Sequence, residues 1–469
     1  MQRAKRGPGR AVQIHGVSDR AVEVENQGGF VQRKCHAQEC KCVTCTIAPG
    51  PIPATMSVNN RDTHMTPPIA SGGALSGLTV IDLTRVLGGP YASQILGDHG
   101  ANVIKIEPPQ GDETRDWGPP FHDYDGDPGA SYYVGVNRNK RAIALDLTRP
   151  EAQELLLQML EGADVLIDNF KPGSLKAWGL DYEGVLKDKF PRLIHCSISG
   201  FGATGPLGGL PGYDAVLQAM TGTMSINGSP ESGGVRAGTP LIDITTGLNT
   251  TIGILLALAE REKSGRGQSI DIALYDCGLA NLHPHAANFF MSGKAPVLMG
   301  NTHPNISPYD KMKTATVDIF VCVGNNRAFE RFCQGLGRED LLADPRFASN
   351  ASRVEHRAPL MAALQESLNH VDGHAFCTQM LQAGVPVGPV MDLPAAFSHP
   401  HTEHRAMKVQ QDWYQGFGVP VKLSRTPGAV RRLPPAFGEH TQEVLGEYGF
   451  SAEQIQALIQ QGVVLDRRK

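Results

Sequence analysis

The sequence predicts an α/β protein built on a parallel sheet, and three observations carry that expectation. Short apolar segments of strand length alternate with helical segments from Gly77 onward, the order that yields a parallel sheet covered on both faces. The connections are short and rich in turn formers, with 53 Gly and 33 Pro, as tight alternation requires. At 469 residues the chain exceeds what one core usually serves, so a second, smaller domain is expected.

Leu78 to Leu83 reads as a buried strand, Arg85 to Gly89 as a Gly-rich turn, and Pro90 opens a helix through Leu96, since Pro is tolerated in a first turn. Asn102 to Glu107 is the next strand and completes a β-α-β unit. Ala142 to Leu147 is a strand, Thr148-Arg-Pro-Glu151 predicts a capping box, and Leu155 to Leu160 lies on a helix. Asp164 to Asp168 and Leu193 to Ile198 are further strands. A long helix begins near Asp243 and runs to about Lys263; a strand at Ser269 to Ala273 follows, then one helix through Phe290.

Residues 75–295 thus form the first part of a large Rossmann-like domain, and the Pro-, Asn- and Gly-rich span from Gly293 to Pro308 is a linker. Residues 310–395 form a smaller α/β domain, with a strand at Ile319 to Val323 and a helix at Pro359 to Leu368. Residues 400–469 return to the large domain and end in a helix at Ala452 to Gln460. Residues 1–70 show no apolar periodicity and read as a disordered extension, with Met56 or Met65 as an alternative start. Arg3, Lys5, Arg6 and Arg10 suggest an organellar presequence, but Asp19, Glu23 and Glu25 speak against it. A cytoplasmic protein is expected, or a matrix protein if that segment is a presequence.

A net charge of -4 argues against nucleic acid as a partner. The longest purely apolar stretch of the long helix, Ile252 to Ala259 with one Gly, is short of the ~20 residues that cross a bilayer, so no membrane partner is expected. Cys35, Cys40, Cys42 and Cys45 crowd the N-terminus with His36, but without paired knuckle spacing, and no metal is expected. Gly200-Phe-Gly-Ala-Thr-Gly205 matches a dinucleotide fingerprint, yet Pro206 to Gly212 follows where a helix is required. A bound nicotinamide cofactor is therefore not expected.

Asp243 ends a short apolar segment at a helix start. It is either an N-cap or a nucleophile, and the helix start would favour its ionised form. Arg85, Arg115, Lys140, Arg141 and Lys171 sit in turns or at strand edges, where they could converge on an anionic ligand at one end of the sheet.

Seven ordered stretches, including Gly77 to Pro90, Gly100 to Pro109, Asn137 to Arg141, Asn169-Phe-Lys-Pro-Gly173, Gly212-Tyr-Asp214, Ser264 to Gln268 and Gly438 to Thr441, resemble the class III CoA-transferases. The resemblance implies a Rossmann-like large domain, a small domain and a homodimer of two chains interlinked like rings. It places the catalytic Asp on Asp243, whose carboxylate would form a mixed anhydride and then an aspartyl-CoA thioester. The CoA thioester would be a substrate, with no permanently bound cofactor, and a carboxylic acid its acceptor.

CoA-binding positions fall on Leu87, Gly88, Leu145, Asp146, Asn169, Phe170, Lys171, Tyr213 and Asp214. Leu87, Pro108 and Ala177 stand where the formyl-CoA branch has Gln, Arg and Arg; Lys171 and Arg115 are the substitutes for phosphate contact. His283 to Asn288 and Gly300 to Asn305 resemble the branch that moves CoA from succinyl-CoA to dicarboxylates such as glutarate or itaconate. Two alternatives share these features: an α-methylacyl-CoA racemase, which would need His where Tyr213 stands, and a CoA-binding protein without chemistry.

Overall fold

Seven strands form the central sheet of the compact unit spanning Pro67–Lys469. The computed structural model describes residues 24–27, 30–33 and 72–468. In the N-terminal unit Val24–Gln27 pairs antiparallel with Phe30–Arg33; the rest of the expected extension, with the Cys35 to Cys45 cluster, lies outside the described residues.

The strands are β1 Thr79–Asp82, β2 Asn102–Glu107, β3 Lys140–Leu145, β4 Val165–Asp168, β5 Ile194–Ser199 and β6 Ser269–Ala273. Strands β7 Tyr309–Met312, β8 Ile319–Cys322 and β9 Val387–Pro389 make a separate three-stranded antiparallel sheet. Its own cluster includes Phe329, Phe332, Leu360 and Phe376. Strand β10, Val464–Leu465, returns to pair antiparallel with β3. The central order is β6-β5-β4-β1-β2-β3-β10, parallel throughout except for β10.

Side chains alternate across this sheet as the strand period demands. Val80, Val103, Val165 and Ile167 enter one cluster, while Ile81, Ile104 and Leu166 enter the other. Each such side chain contributes about 1.5–3 kcal/mol on burial, which explains why these strands read as continuous apolar runs. The C-terminal helices Thr441–Glu447 and Ala452–Gln460 seal the second cluster through Val444, Leu445 and Ile455.

The helices that concern the site are α1 Gly88–Asp98, α2 Pro150–Leu160, α3 Asp214–Met220, α4 Leu241–Ser264, α5 Leu274–Ala280 and α6 His285–Ser292. Three differ from expectation. The capping box before α2 does not form: Arg149 is the N-cap, because Asp146 takes both the N–H and the hydroxyl of Thr148. The single helix expected after β6 is broken into α5 and α6, at Pro284, which lacks the N–H needed to continue a helix. Helix α4 is 24 residues long, and by length and composition it could cross a membrane. Thr and Asn residues inside it had shortened the apparent apolar run. It is nevertheless a core helix on one face, burying Ile242, Thr246, Thr250, Ile254 and Ala257.

Candidate active site

The strand order places a topological switch between β1 and β4: the chain leaves β1 for β2 and β3 on one side, then crosses to β4, β5 and β6 on the other. Loops at the carboxyl ends of β1 and β4 diverge there, which opens a crevice in sheets of this order. A cavity of about 410 Å³ occupies it, walled by Arg85 to Gly89, Asn169 to Pro172, Gly200, Gly209 to Tyr213, Leu274 and Asp243. Asn169 spans the switch, accepting from Arg85 N at 3.0 Å and donating to Arg85 O at 2.7 Å.

Asp243 is the third residue of α4, whose N-cap is Pro240 with no capping side chain. The expected N-cap role belongs instead to Asp214, whose Oδ1 accepts from Ile242 N at 2.8 Å and Asp243 N at 3.2 Å. Gln218 fixes that carboxylate, donating from Nε2 to Asp214 Oδ2 at 2.6 Å while its own oxygen accepts from Ala237 N. Asp243 thus keeps its carboxyl free of capping duty and turned to the cleft.

Burial pushes the Asp243 carboxyl up to about 7, and the charge of Asp214 pushes in the same direction. The pull of the helix start toward the ionised form, expected from sequence, is outweighed here. A helix terminus is worth about 0.3–1 kcal/mol, whereas a rise of about three units represents ~4 kcal/mol. Desolvation and the like charge win.

Two helix starts meet at this point. A Cβ on Gly247 of α4 would stand 2.7 Å from Gly88 O, and one on Gly88 would stand 3.3 Å from Asp243 O. Glycine at 247 is therefore what lets α1 and α4 close on each other. The first-turn N–H groups of Gly88 and Gly89 have no carbonyl partner within α1, so the cleft wall offers donors of the kind that stabilise an oxyanion.

One residue that sequence reasoning did not single out lies within the field of the Asp243–Asp214 charge pair. The Tyr132 hydroxyl is pushed up to about 12, by burial first and then by the charges of Asp243 and Asp214. It therefore stays protonated at neutral pH. No spacing or motif marks it; only the fold brings it to them.

Of the residues singled out in sequence, Leu87, Gly88, Asn169, Phe170, Lys171, Tyr213 and Asp243 line the cavity. Asp214 stands behind it as the cap of α4. Leu145 and Asp146 are not among its walls: Leu145 is buried opposite Val464, and Asp146 is occupied by Thr148. Arg115, expected at a phosphate, is fully buried. It donates from Nε and Nη2 to Glu107 at 2.9 and 2.7 Å, and also to Tyr133 Oη and Pro435 O. Lys140 is likewise paired with Asp82, and Arg141 with Glu443 and Glu447. Of the five basic residues, Arg85 and Lys171 reach the cleft. The loop from Gly200 continues without helix until Asp214, so no helix N-terminus follows the Gly-rich match.

The family description "CoA-transferase family III" matches residues 75–441. A succinate–glutarate CoA-transferase of Agrobacterium fabrum is 41% identical over 381 residues, covering 80% of this chain and 95% of that protein. An acetyl-CoA:oxalate CoA-transferase of Acetobacter aceti is 40% identical over 361 residues, covering 76% and 91%. The crystal structure of a CAIB/BAIF family protein from Brucella suis superposes with a TM-score of 0.73 at 40% identity, covering 80% of this chain and all of that one. With a doubly wound sheet, a cleft at its switch point and a match over most of its length, this chain belongs to CoA-transferase family III.

Proposed function

We propose that the protein moves CoA from succinyl-CoA to a dicarboxylate such as glutarate, with Asp243 as the covalent relay. The observation that carries this reading is the position of Asp243: a nearly buried carboxylate, 9% exposed, on the wall of the switch-point cleft. Its ionised oxygen would attack the thioester carbonyl, breaking the C–S bond to give a mixed anhydride and CoA thiolate. The thiolate would then attack the aspartyl carbon, releasing succinate and leaving an aspartyl-CoA thioester. The acceptor carboxylate would repeat the exchange in reverse, freeing Asp243. Splitting the transfer this way retains the thioester's energy, provided water is kept out.

Leu87, Gly88, Asn169, Phe170, Lys171 and Tyr213 are the residues proposed to hold CoA, since all line the cavity. A racemase would need an acid/base pair, and Tyr213 rather than His lines the wall at the corresponding position; tyrosine with an ordinary pKa near 10 is a poor base at neutral pH. A homodimer is proposed as the working form. Leu248, Ile252, Leu255 and Leu256 of α4 are 41–67% exposed, and Phe290 and Met291 of α6 are 81% and 90% exposed, which is apolar surface a partner would cover.

The test is Asp243→Ala, expected to fold and to lose transfer altogether; native-rate transfer would refute the relay. A panel of succinyl-CoA and acetyl-CoA donors against glutarate, itaconate and oxalate reads the substrate. Transfer to none of these three dicarboxylates would refute the dicarboxylate assignment, and transfer to oxalate but not glutarate would refute glutarate as the acceptor.

A further inference from the structure

The turn between β1 and α1 carries an unusual backbone. Val86 has φ of 72°, a left-handed conformation that a β-branched residue adopts only when its surroundings impose it. Those surroundings are buried charges. Lys105 Nζ donates to Thr84 O at 2.7 Å and to Asp112 Oδ2 at 3.0 Å, and Asp112 Oδ1 accepts from Val86 N at 3.3 Å. Beyond the turn, Lys140 Nζ donates to Pro90 O at 3.0 Å, to Asn137 Oδ1 at 2.8 Å and to Asp82 Oδ2 at 3.0 Å. All four charged residues are 0% exposed.

Buried ion pairs are poor sources of stability, because desolvation offsets most of their attraction. Here both lysines spend a donor on a backbone carbonyl that flanks the turn, Thr84 O before Val86 and Pro90 O in the first turn of α1 after it. Burial and the charge of Lys105 also pull the Lys140 ammonium down to about 8 despite Asp82, so the arrangement is not the one that would maximise ion-pair strength. What it does is fix a strained turn whose next residues, Leu87 and Gly88, wall the cleft.

We propose that the Lys105–Asp112 and Lys140–Asp82 pairs are positioning residues for CoA binding: a charged cradle that holds Val86 left-handed and so preorganises the cleft wall. The inference rests on acyl-CoA occupying the switch-point cleft. Preorganisation works by removing an ordering cost from binding.

The test measures CoA affinity by calorimetry. Lys105→Met combined with Asp112→Asn removes the pair without leaving a lone buried charge, and is expected to weaken CoA binding about tenfold. Adding Val86→Gly should restore much of that loss, because glycine reaches positive φ without strain; a cradle that served only global stability would show no such rescue. Asp112→Asn alone keeps a side-chain oxygen to accept from Val86 N or Lys105 Nζ; it is expected to weaken binding in the same direction, and it reads the same question if the double variant does not fold. Unchanged CoA affinity in these variants, or weakened affinity without rescue, overturns the inference. Phe170→Asp in the cleft wall separates the two claims. If it leaves CoA affinity intact, the cleft assignment fails; if it weakens binding while the cradle variants do not, only the cradle fails.

Discussion

Replacing Asp243 by Asn should make the protein more stable, and by an amount that depends on pH. The folded-state pKa of about 7 stands above the ordinary 3.8, so the folded protein holds this proton more tightly than the unfolded chain does. The group's favourable contribution is complete below about pH 4 and is lost as pH rises through about 7. At pH 8 the native protein carries a buried charge that costs about 4 kcal/mol. Asn has nearly the same shape and no charge, so the variant's advantage should be near zero at pH 4 and about 4 kcal/mol at pH 8. Urea unfolding of both proteins at pH 5 and pH 8 checks this, since other titrating groups cancel in the difference. The advantage should grow by about 2 to 3 kcal/mol between those two values. A constant difference, or a variant less stable at pH 8, would refute the assignment of a burial-raised carboxyl.

Asp214→Asn keeps an oxygen to accept from Ile242 N and Asp243 N but removes a negative charge beside Asp243; the acidic limb of the pH–kcat/KM profile should move to lower pH with helix content unchanged. Arg115→Met leaves Glu107 buried without its partner and should cost about 3–5 kcal/mol of stability. The KM of the folded enzyme for acyl-CoA should stay at its native value, as steady-state kinetics on soluble protein would read. Leu256→Glu places a charge on the exposed apolar face of α4, and sedimentation should show the proposed dimer falling to monomer.

The strands were legible where an apolar run is bounded by turn formers: Asn102 to Glu107 and Ser269 to Ala273 have the ends read from sequence. So does the terminal helix Ala452 to Gln460. Periodicity encodes which faces must be buried, and that is enough to recover a parallel sheet. It does not encode which charges are buried with them. Arg115 reads as a free turn cation because its partner, Glu107, ends a different element. Lys140 and Arg141 were misread for the same reason, since a strand-edge cation and a buried one look alike in sequence. The cleft residues Asn169, Phe170 and Lys171 were accessible because they follow directly on a strand end, where the doubly wound order puts ligands.

Asp243 shows why a local signal can name the right residue for an incomplete reason. Asp at a helix start suggests a cap, and a cap suggests a carboxyl held ionised. The structure assigns capping to Asp214, from an element 29 residues earlier in the chain, and this has two effects at once. The helix is satisfied without using Asp243, and a second negative charge is fixed beside it. On the proposed mechanism both effects help. A carboxylate committed to backbone N–H groups would have its lone pairs occupied and its nucleophilicity reduced, whereas an uncapped one facing a desolvated cleft is more reactive when ionised. The ~4 kcal/mol cost of that charge is then the order of stability the fold forgoes to keep one carboxylate free.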